Sequence, residues 1–217
     1  MSRTASLAAL ERLREGNRRF IANVRGIEAL LSQQRRAELA SKPQPFAIVL
    51  GCSDSRAPAE ILFDQGLGDL FVIRVAGNIV APSQIASVEF AAQRFGVPLV
   101  VLMGHTRCGA IEATLEAIDR PHDESLHPLR SIVDRVRPAI EPLTRTELAR
   151  DPQELRRHCV RANVRSCANH LRHGSPALER MVIEGRVSVV GAEYDVETGL
   201  VDFFDGVPTP TNPPSSP

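Results

Sequence analysis

Three residues of this chain carry side chains that bind transition metals, and each follows an apolar segment typical of a β-strand. Cys52 follows the segment Phe46–Leu50, and His105 and Cys108 follow Leu99–Met103. Two thiolates and one imidazole form the ligand set of a zinc site that keeps its fourth coordination position open. An open position can hold a water and do chemistry, whereas a zinc ion closed by four protein ligands is structural. The spacing therefore predicts one Zn²⁺ per chain, bound by Cys52, His105 and Cys108.

An acid and a base lie beside the first of these residues, in the string GCSDSR at positions 51–56. Zinc lowers the pKa of a bound water to about 7, so hydroxide becomes available at neutral pH. Asp54, kept ionised by a bidentate bond to Arg56, would accept the proton of that water and orient it. The alternative is that Asp54 caps a helix beginning near Pro58 and that Arg56 is an ordinary surface charge.

The chain contains a second group of cysteines and histidines, which we interpret differently. Cys159 and Cys167 occur in one helical segment with His158, His170 and His173. Residues three apart on a continuous helix step progressively around its axis, so they cannot all face one ion. The sequence therefore predicts core cysteines here rather than a second metal site.

Apolar segments that suit buried strands alternate along the chain with segments of helical periodicity. The predicted strands are Phe46–Leu50, Leu70–Val75, Leu99–Met103, Val187–Val190 and, as a short edge strand, Leu200–Phe204. The predicted helices are a helical arm over 5–40, then 83–95, 109–119, 127–140, 144–172 and 175–184. Strands that are apolar on both faces, alternating with helices, indicate an open, mostly parallel α/β sheet flanked by helices. The order 2-1-3-4 would bring the three metal-binding residues to one crevice at the carboxyl ends of the strands.

Length and composition restrict the possible classes of function. The 217 residues fit a single domain over 1–206, whose first 42 residues form the helical arm, with a Pro-rich tail over 207–217. Lys+Arg and Asp+Glu are balanced at 26 each, so no net field favours nucleic acid or an anionic membrane. No apolar run approaches the roughly 18 residues of a membrane span. Four cysteines without an apparent signal peptide predict a reducing, cytoplasmic location.

The two strings CSDSR and GHTRCG, with GDLFVIRVAGN at 68–78 and SVEFA at 87–91 between them, resemble those of the β-class carbonic anhydrases. The resemblance runs over residues 10–199. It implies an α/β zinc enzyme that reversibly hydrates CO₂ to bicarbonate and a proton, assembled as a homodimer or homotetramer. It also implies that Cys52, His105 and Cys108 bind zinc, and that Asp54 and Arg56 form the catalytic dyad.

The same resemblance implies an apolar CO₂ pocket, completed partly across the interface between two subunits. The residues at its positions are Phe71, Ala76, Phe90 and Gly109. Apolar walls suit a substrate without a net dipole. Ordinary core packing is an equally good interpretation of either phenylalanine taken alone.

The chain departs from the family pattern in three places. The arginine-asparagine pair usual in the second strand is Arg74-Val75 here, so a polar contact is lost. Many members have a glutamine where this chain has Pro43, and Gln44 follows one position late. Some members have a regulatory bicarbonate pocket built on a tryptophan, an arginine and a tyrosine. Arg74 and Tyr194 match two of these positions, but Val49 stands at the tryptophan position.

Two alternatives remain open from the sequence. The first is a hydrolase of COS or CS₂ on the same fold, since these are also apolar triatomic molecules. The second is a non-catalytic, zinc-binding regulatory protein. The dyad beside Cys52 argues against the second, because a structural zinc ion takes a fourth protein ligand.

Overall fold

Five strands form one sheet in the computed structural model, which describes residues 2–24, 39, 44–121 and 123–209. The strands are β1 (Ala47–Gly51), β2 (Leu70–Arg74), β3 (Leu99–His105), β4 (Ser188–Tyr194) and β5 (Val201–Asp205). Their spatial order is β2-β1-β3-β4-β5. The first four are parallel, and β5 runs antiparallel to β4 at the edge. The predicted order and fold class are therefore confirmed.

The helices fill the intervals between the strands. They are α1 (Ser2–Ile21), α2 (Ala59–Leu62), α3 (Pro82–Phe95), α4 (Gly109–Asp119), α5 (Arg130–Ile140), α6 (Pro152–His173) and α7 (Pro176–Ile183). Short 3₁₀ turns cover 76–78, 124–129, 141–145 and 147–150. None of these described helices combines the length and the apolar character needed to cross a bilayer.

The central strands are buried on both faces because alternate side chains enter two different cores. Ala47 and Val49 of β1 pack with residues of α1 and α2 on one face of the sheet. Ile48 and Leu50 pack on the other face with residues of α3, α6 and α7. This two-sided burial explains why the strands read as continuous apolar runs rather than as alternating ones.

A third core lies against the cysteines that follow β1 and β3. Its buried members include residues of α4, α5 and α6, namely Ile111, Val136, Ile140, Cys159 and Val160. These helices pack around Cys52 and Cys108 and limit the access of solvent to them.

The predicted helical arm is shorter than expected where the structure describes it. Helix α1 ends at Ile21, and Asn23 adopts a left-handed backbone conformation with φ 55°. The amide of Val24 donates to the carbonyl of Arg19 and that of Asn23 to Phe20, which is a Schellman motif. The expectation of a continuous helix over 5–40 is therefore wrong at residues 22–24. Most of the rest of the arm, and the tail beyond Thr209, lie outside the described residues.

Helix α6 also begins later than the predicted range 144–172. Residues 141–145 and 147–150 form 3₁₀ turns, and the α-helix starts at Pro152. The carboxylate of Asp151 accepts hydrogen bonds from the amides of Gln153 and Glu154 and so caps the helix. Asp151 followed by Pro152 at the first helical position is the start signal of this helix, although helical periodicity continues before it.

Candidate metal centre

Cys52, His105 and Cys108 lie together at the carboxyl edge of the sheet. Cys52 directly follows β1, His105 is the last residue of β3, and Cys108 precedes α4. Their ligand atoms all lie within 4.8 Å of one another. The side chains are at most 5% exposed. Three soft donor groups thus converge in a nearly dry position, as the strand order predicts.

The backbone fixes the orientation of the His105 ring. Its Nδ1–H donates to the carbonyl of Thr106 at 2.9 Å. This bond leaves Nε2 as the nitrogen with a free lone pair, and Nε2 is buried without a hydrogen-bond partner. An outer hydrogen bond that selects the tautomer is the usual arrangement of a metal-binding histidine.

The surroundings of Cys52 favour its thiolate form. Contact with Cys108 and His105, together with hydrogen bonds from the amides of Asp54 and Gly77, lowers the pKa of Cys52 to about 4. The pKa of Cys108 is raised for the complementary reason, since the Cys52 thiolate and burial both favour its protonated form. The amides of Ile111 and Ala110, at the start of α4, lower the pKa of Cys108 and so act in the opposite direction.

Asp54 and Arg56 form a bidentate ion pair beside the cluster. Nε of Arg56 donates to Oδ1 of Asp54 at 2.9 Å, and Nη2 donates to Oδ2 at 2.8 Å. These bonds hold the pKa of Asp54 well below its usual range. Oδ2 also lies 3.9 Å from Nε2 of His105. Helix α2 has Pro58 at its N-cap and no capping side-chain bond, so the helix-cap interpretation of Asp54 is wrong.

Two further arginines brace this loop through backbone carbonyls. Nε and Nη2 of Arg74 donate to the carbonyls of Cys52, at 3.1 Å, and Asp54, at 2.6 Å. Arg107 has a left-handed backbone with φ 56°, and its carbonyl accepts a bond from Arg56 at 3.1 Å. Sequence reasoning did not assign these bracing contacts.

Comparison with known proteins identifies the chain. A sequence model of the family described as "Carbonic anhydrase" matches residues 47–201. The chain belongs to the carbonic anhydrase family. Carbonic anhydrase 2 of Mycobacterium tuberculosis is 38% identical over 95% of this chain and 97% of that protein. The carbonic anhydrase of Mycolicibacterium smegmatis is 37% identical over 94% of this chain and 95% of that protein.

Solved structures assign the chain to the β-class. A tetrameric β-carbonic anhydrase of the filamentous ascomycete Sordaria macrospora superposes with a TM-score of 0.68 and is 26% identical. The match covers 83% of this chain and 90% of the fungal chain. The protein is accordingly an enzyme, a β-class carbonic anhydrase.

The residues expected to line the substrate pocket of this carbonic anhydrase occupy two kinds of position. The rings of Phe71 and Phe90 lie 6.4 Å apart between centroids, and Phe95 packs against both. Phe90 is 54% exposed. Ala76 and Gly109 are also exposed, at the start of the 76–78 turn and of α4. The described chain thus brings together the two phenylalanines, and places Ala76 and Gly109 at the surface.

The residues at which the chain departs from the family pattern differ in their burial. Gln44 is exposed, and Pro43 lies outside the described residues. Val49 is completely buried in the core beneath α1, and Tyr194 belongs to the same core.

The remaining cysteines, Cys159 and Cys167, are buried, whereas the neighbouring histidines of α6 are exposed.

Proposed function

We propose that this carbonic anhydrase reversibly hydrates CO₂ to bicarbonate and a proton, with one zinc ion bound by Cys52, His105 and Cys108. The observation that carries the proposal is the convergence of these three donors beside the Asp54–Arg56 ion pair. A structural zinc site has no use for an ionised carboxylate held beside its ligands by an arginine.

The cluster fits a zinc ion in both its chemistry and its geometry. Nε2 of His105 is a buried lone pair without a protein partner, and Cys52 has the lowered pKa of a thiolate. The donor atoms are close enough to share one ion. When bound, zinc lowers the pKa of a coordinated water and polarises it for attack.

Asp54 forms the polar half of the proposed site. Its carboxylate stays ionised because Arg56 bonds both oxygens, so it can accept a hydrogen bond but not donate one. A water that donates to Oδ2 of Asp54 has its lone pair directed away from the carboxylate and toward the substrate. Asp54 and Arg56 therefore act together. Asp54 orients the attacking water, and Arg56 keeps the Asp54 carboxylate ionised.

The apolar half of the site consists of Phe71, Ala76, Phe90 and Gly109 in the proposal. The partly exposed phenylalanine pair supports it, because CO₂ gains nothing from polar walls. We propose a homodimer or homotetramer in which a second subunit covers these rings, as the tetrameric assembly of the Sordaria enzyme suggests. A cytoplasmic location agrees with four free cysteines, since two of them must stay reduced to bind zinc.

Stopped-flow assays of CO₂ hydration, with COS and CS₂ hydrolysis measured alongside, test the proposal. The wild-type protein should contain about one zinc per chain and turn over CO₂ fastest. Cys108→Ala should lose zinc and activity together, whereas Cys159→Ala, which removes another buried thiol of the same core, should keep both. Faster turnover of COS or CS₂ would make the protein a hydrolase, and full zinc without turnover of any of the three would make it a binding protein.

A further inference from the structure

A backbone amide outside the set of proposed ligands donates to the sulfur of Cys52. The N–H of Gly77 lies 3.4 Å from Cys52 Sγ. Gly77 is buried in the 76–78 turn and has a left-handed backbone with φ 67°. A Cβ added there would lie 3.0 Å from the Cβ of Ala110. The close approach of this amide to the sulfur therefore depends on glycine and on whatever holds the turn in place.

Asn163 of α6 holds that turn. Its side chain is 1% exposed, and Nδ2 donates to the carbonyl of Gly77 at 2.9 Å. The carbonyl and the amide belong to the same residue, so fixing the carbonyl restrains the amide that faces Cys52. The contact joins residues 86 positions apart in the chain.

The other end of the Asn163 amide is also occupied. The thiol of Cys167, one helical turn further along α6, donates to Oδ1 at 3.7 Å. Burial raises the pKa of Cys167 to about 12, so this group remains a thiol and can donate. A carbonyl acceptor at one end and a thiol donor at the other fix which way the amide points. The three bonds form a chain from Cys167 through Asn163 and Gly77 to Cys52.

Buried valines flank Asn163 on α6. Val160 and Val164 lie in the two apolar cores that meet there. A buried amide costs free energy unless it is hydrogen-bonded, and an apolar side chain would satisfy packing alone. Asn163 therefore places a polar side chain where an apolar one would pack. Its amide nitrogen bonds to Gly77 and its amide oxygen bonds to Cys167.

We propose that Asn163 is a positioning residue for the Cys52 thiolate, acting through the Gly77 amide to set the strength of the metal–sulfur bond. This inference rests on the proposed zinc site. An N–H bond to a thiolate withdraws electron density from sulfur and so tunes the charge at the metal. Loss of such an outer contact typically costs about 10- to 100-fold in metal affinity or activity.

The test compares Asn163→Leu, which keeps the branched shape of the side chain but loses both hydrogen bonds, with the wild-type zinc enzyme. We expect zinc transfer to the chelator 4-(2-pyridylazo)resorcinol to be about 10-fold faster or more. In the cobalt-substituted protein, the thiolate-to-cobalt charge-transfer band should shift, because its energy reports the electron density on sulfur. The control is Leu171→Ala, a buried residue of the same helix, which should lower thermal stability without moving the band.

A second pair of variants decides the matter if Asn163→Leu does not fold. Cys167→Ala removes only the distal donor and should shift the band and the zinc transfer rate by a smaller amount in the same direction. Cys167→Ser restores a donor and should restore both. The inference would be overturned if folded Asn163→Leu, or both Cys167 variants, kept the wild-type charge-transfer band and the wild-type zinc transfer rate. The proposed zinc site would stand in that case. A wild-type protein that binds no zinc would overturn the proposed function as well.

Discussion

The carboxylate of Asp54 is held by three N–H groups of one residue. The backbone amide of Arg56 donates to Oδ1 at 2.9 Å, in addition to the two bonds from the guanidinium. Two residues of separation allow this because the chain turns between them. The carboxylate is thereby fixed in direction as well as in charge, with Oδ2 facing His105. A lysine could supply the charge but not the fork of two parallel donors.

Arg56→Lys should therefore reduce kcat by about 10²-fold, within the range for loss of a positioned acid–base group. Zinc content should be unchanged, because none of the three proposed ligands is altered. Arg56→Ala should lower kcat at least as much. Stopped-flow kinetics with metal analysis measures both quantities, and Arg18→Ala, which removes an exposed pair with Glu11, is the control. Wild-type kcat in Arg56→Ala would show that Asp54 needs no partner.

Single residues differ in how readily the sequence reveals them. Cys52, His105 and Cys108 were found because thiolates and imidazoles are rare groups with a specific affinity for metals. Arg74 and Asn163 act on backbone carbonyls, which every residue possesses. No residue type or spacing marks their targets, so only the folded structure could connect them to the loop.

Helix α1 depends on a close approach that only glycine permits. A Cβ at Gly16 would lie 1.7 Å from the carbonyl oxygen of Phe63, which is backbone and cannot rotate away. Beside it, Nδ2 of Asn17 donates to the carbonyls of Leu62 and Gly199, and its Oδ1 accepts from the amide of Val201. The Gly-Asn pair therefore docks α1 against α2 and the start of β5.

Gly16→Ala should destabilise the fold by about 1–3 kcal/mol, the usual cost of overpacking, or more because the obstacle is backbone. Alanine has a higher helix propensity than glycine, but this gain of about 1 kcal/mol at most is too small to offset the overpacking. Urea unfolding measures the change, and Glu15→Ala at the neighbouring exposed position should stay within about 0.5 kcal/mol. Equal stability of Gly16→Ala and the wild type would mean that α1 is not docked as described.

The turn between β4 and β5 links stability to pH. Oδ1 of Asp195 accepts bonds from the amides of Glu197 and Thr198, at 2.8 and 2.9 Å. These bonds, led by that of Thr198, lower the pKa of Asp195 in the folded state. A lowered folded pKa stabilises the fold above the unfolded value of about 3.9, and this contribution is lost as pH falls through the folded pKa.

Asp195→Asn should therefore reduce the loss of stability on acidification. The amide oxygen can still accept the two backbone bonds, but it does not titrate. Between pH 7 and pH 3 the thermal midpoint of the variant should fall less than that of the wild type. Asp134→Asn, at an exposed carboxylate 3.8 Å from Arg130, is the control. A parallel fall in Asp195→Asn and the wild type would contradict the assignment.

The order of the elements was predictable, but several of their ends were not. Apolar runs on both sheet faces predicted parallel strands, and the need to unite three ligands predicted their order. The end of α1 at Ile21 and the start of α6 at Pro152 depend on capping bonds. Helical periodicity continues past both of these local signals, so periodicity alone predicts helices that are too long.

At the scale of the whole molecule, a cluster of three phenylalanines includes an exposed ring where the family resemblance places a subunit interface. Phe71, Phe90 and Phe95 pack against one another with centroid separations of 5.7–6.4 Å. Phe90 is 54% exposed despite this packing. Exposed aromatic residues that cluster mark interaction surfaces more often than isolated apolar residues do. A second subunit over Phe90 would bury the ring and complete the proposed substrate pocket at the same time.

Phe90→Glu should therefore weaken assembly and activity together. Aromatic residues buried at the centre of an interface typically contribute about 2 kcal/mol or more, so we expect the dissociation constant of the assembly to rise at least about 30-fold. Sedimentation velocity over a dilution series measures this rise, and CO₂ hydration is assayed at the same concentrations. Ile183→Glu alters another apolar residue, 78% exposed, and is the matched control, which should change neither property. A wild-type protein that is fully active as a monomer would show that one subunit holds the complete site. A Phe90→Glu variant that assembles normally would place Phe90 outside the interface.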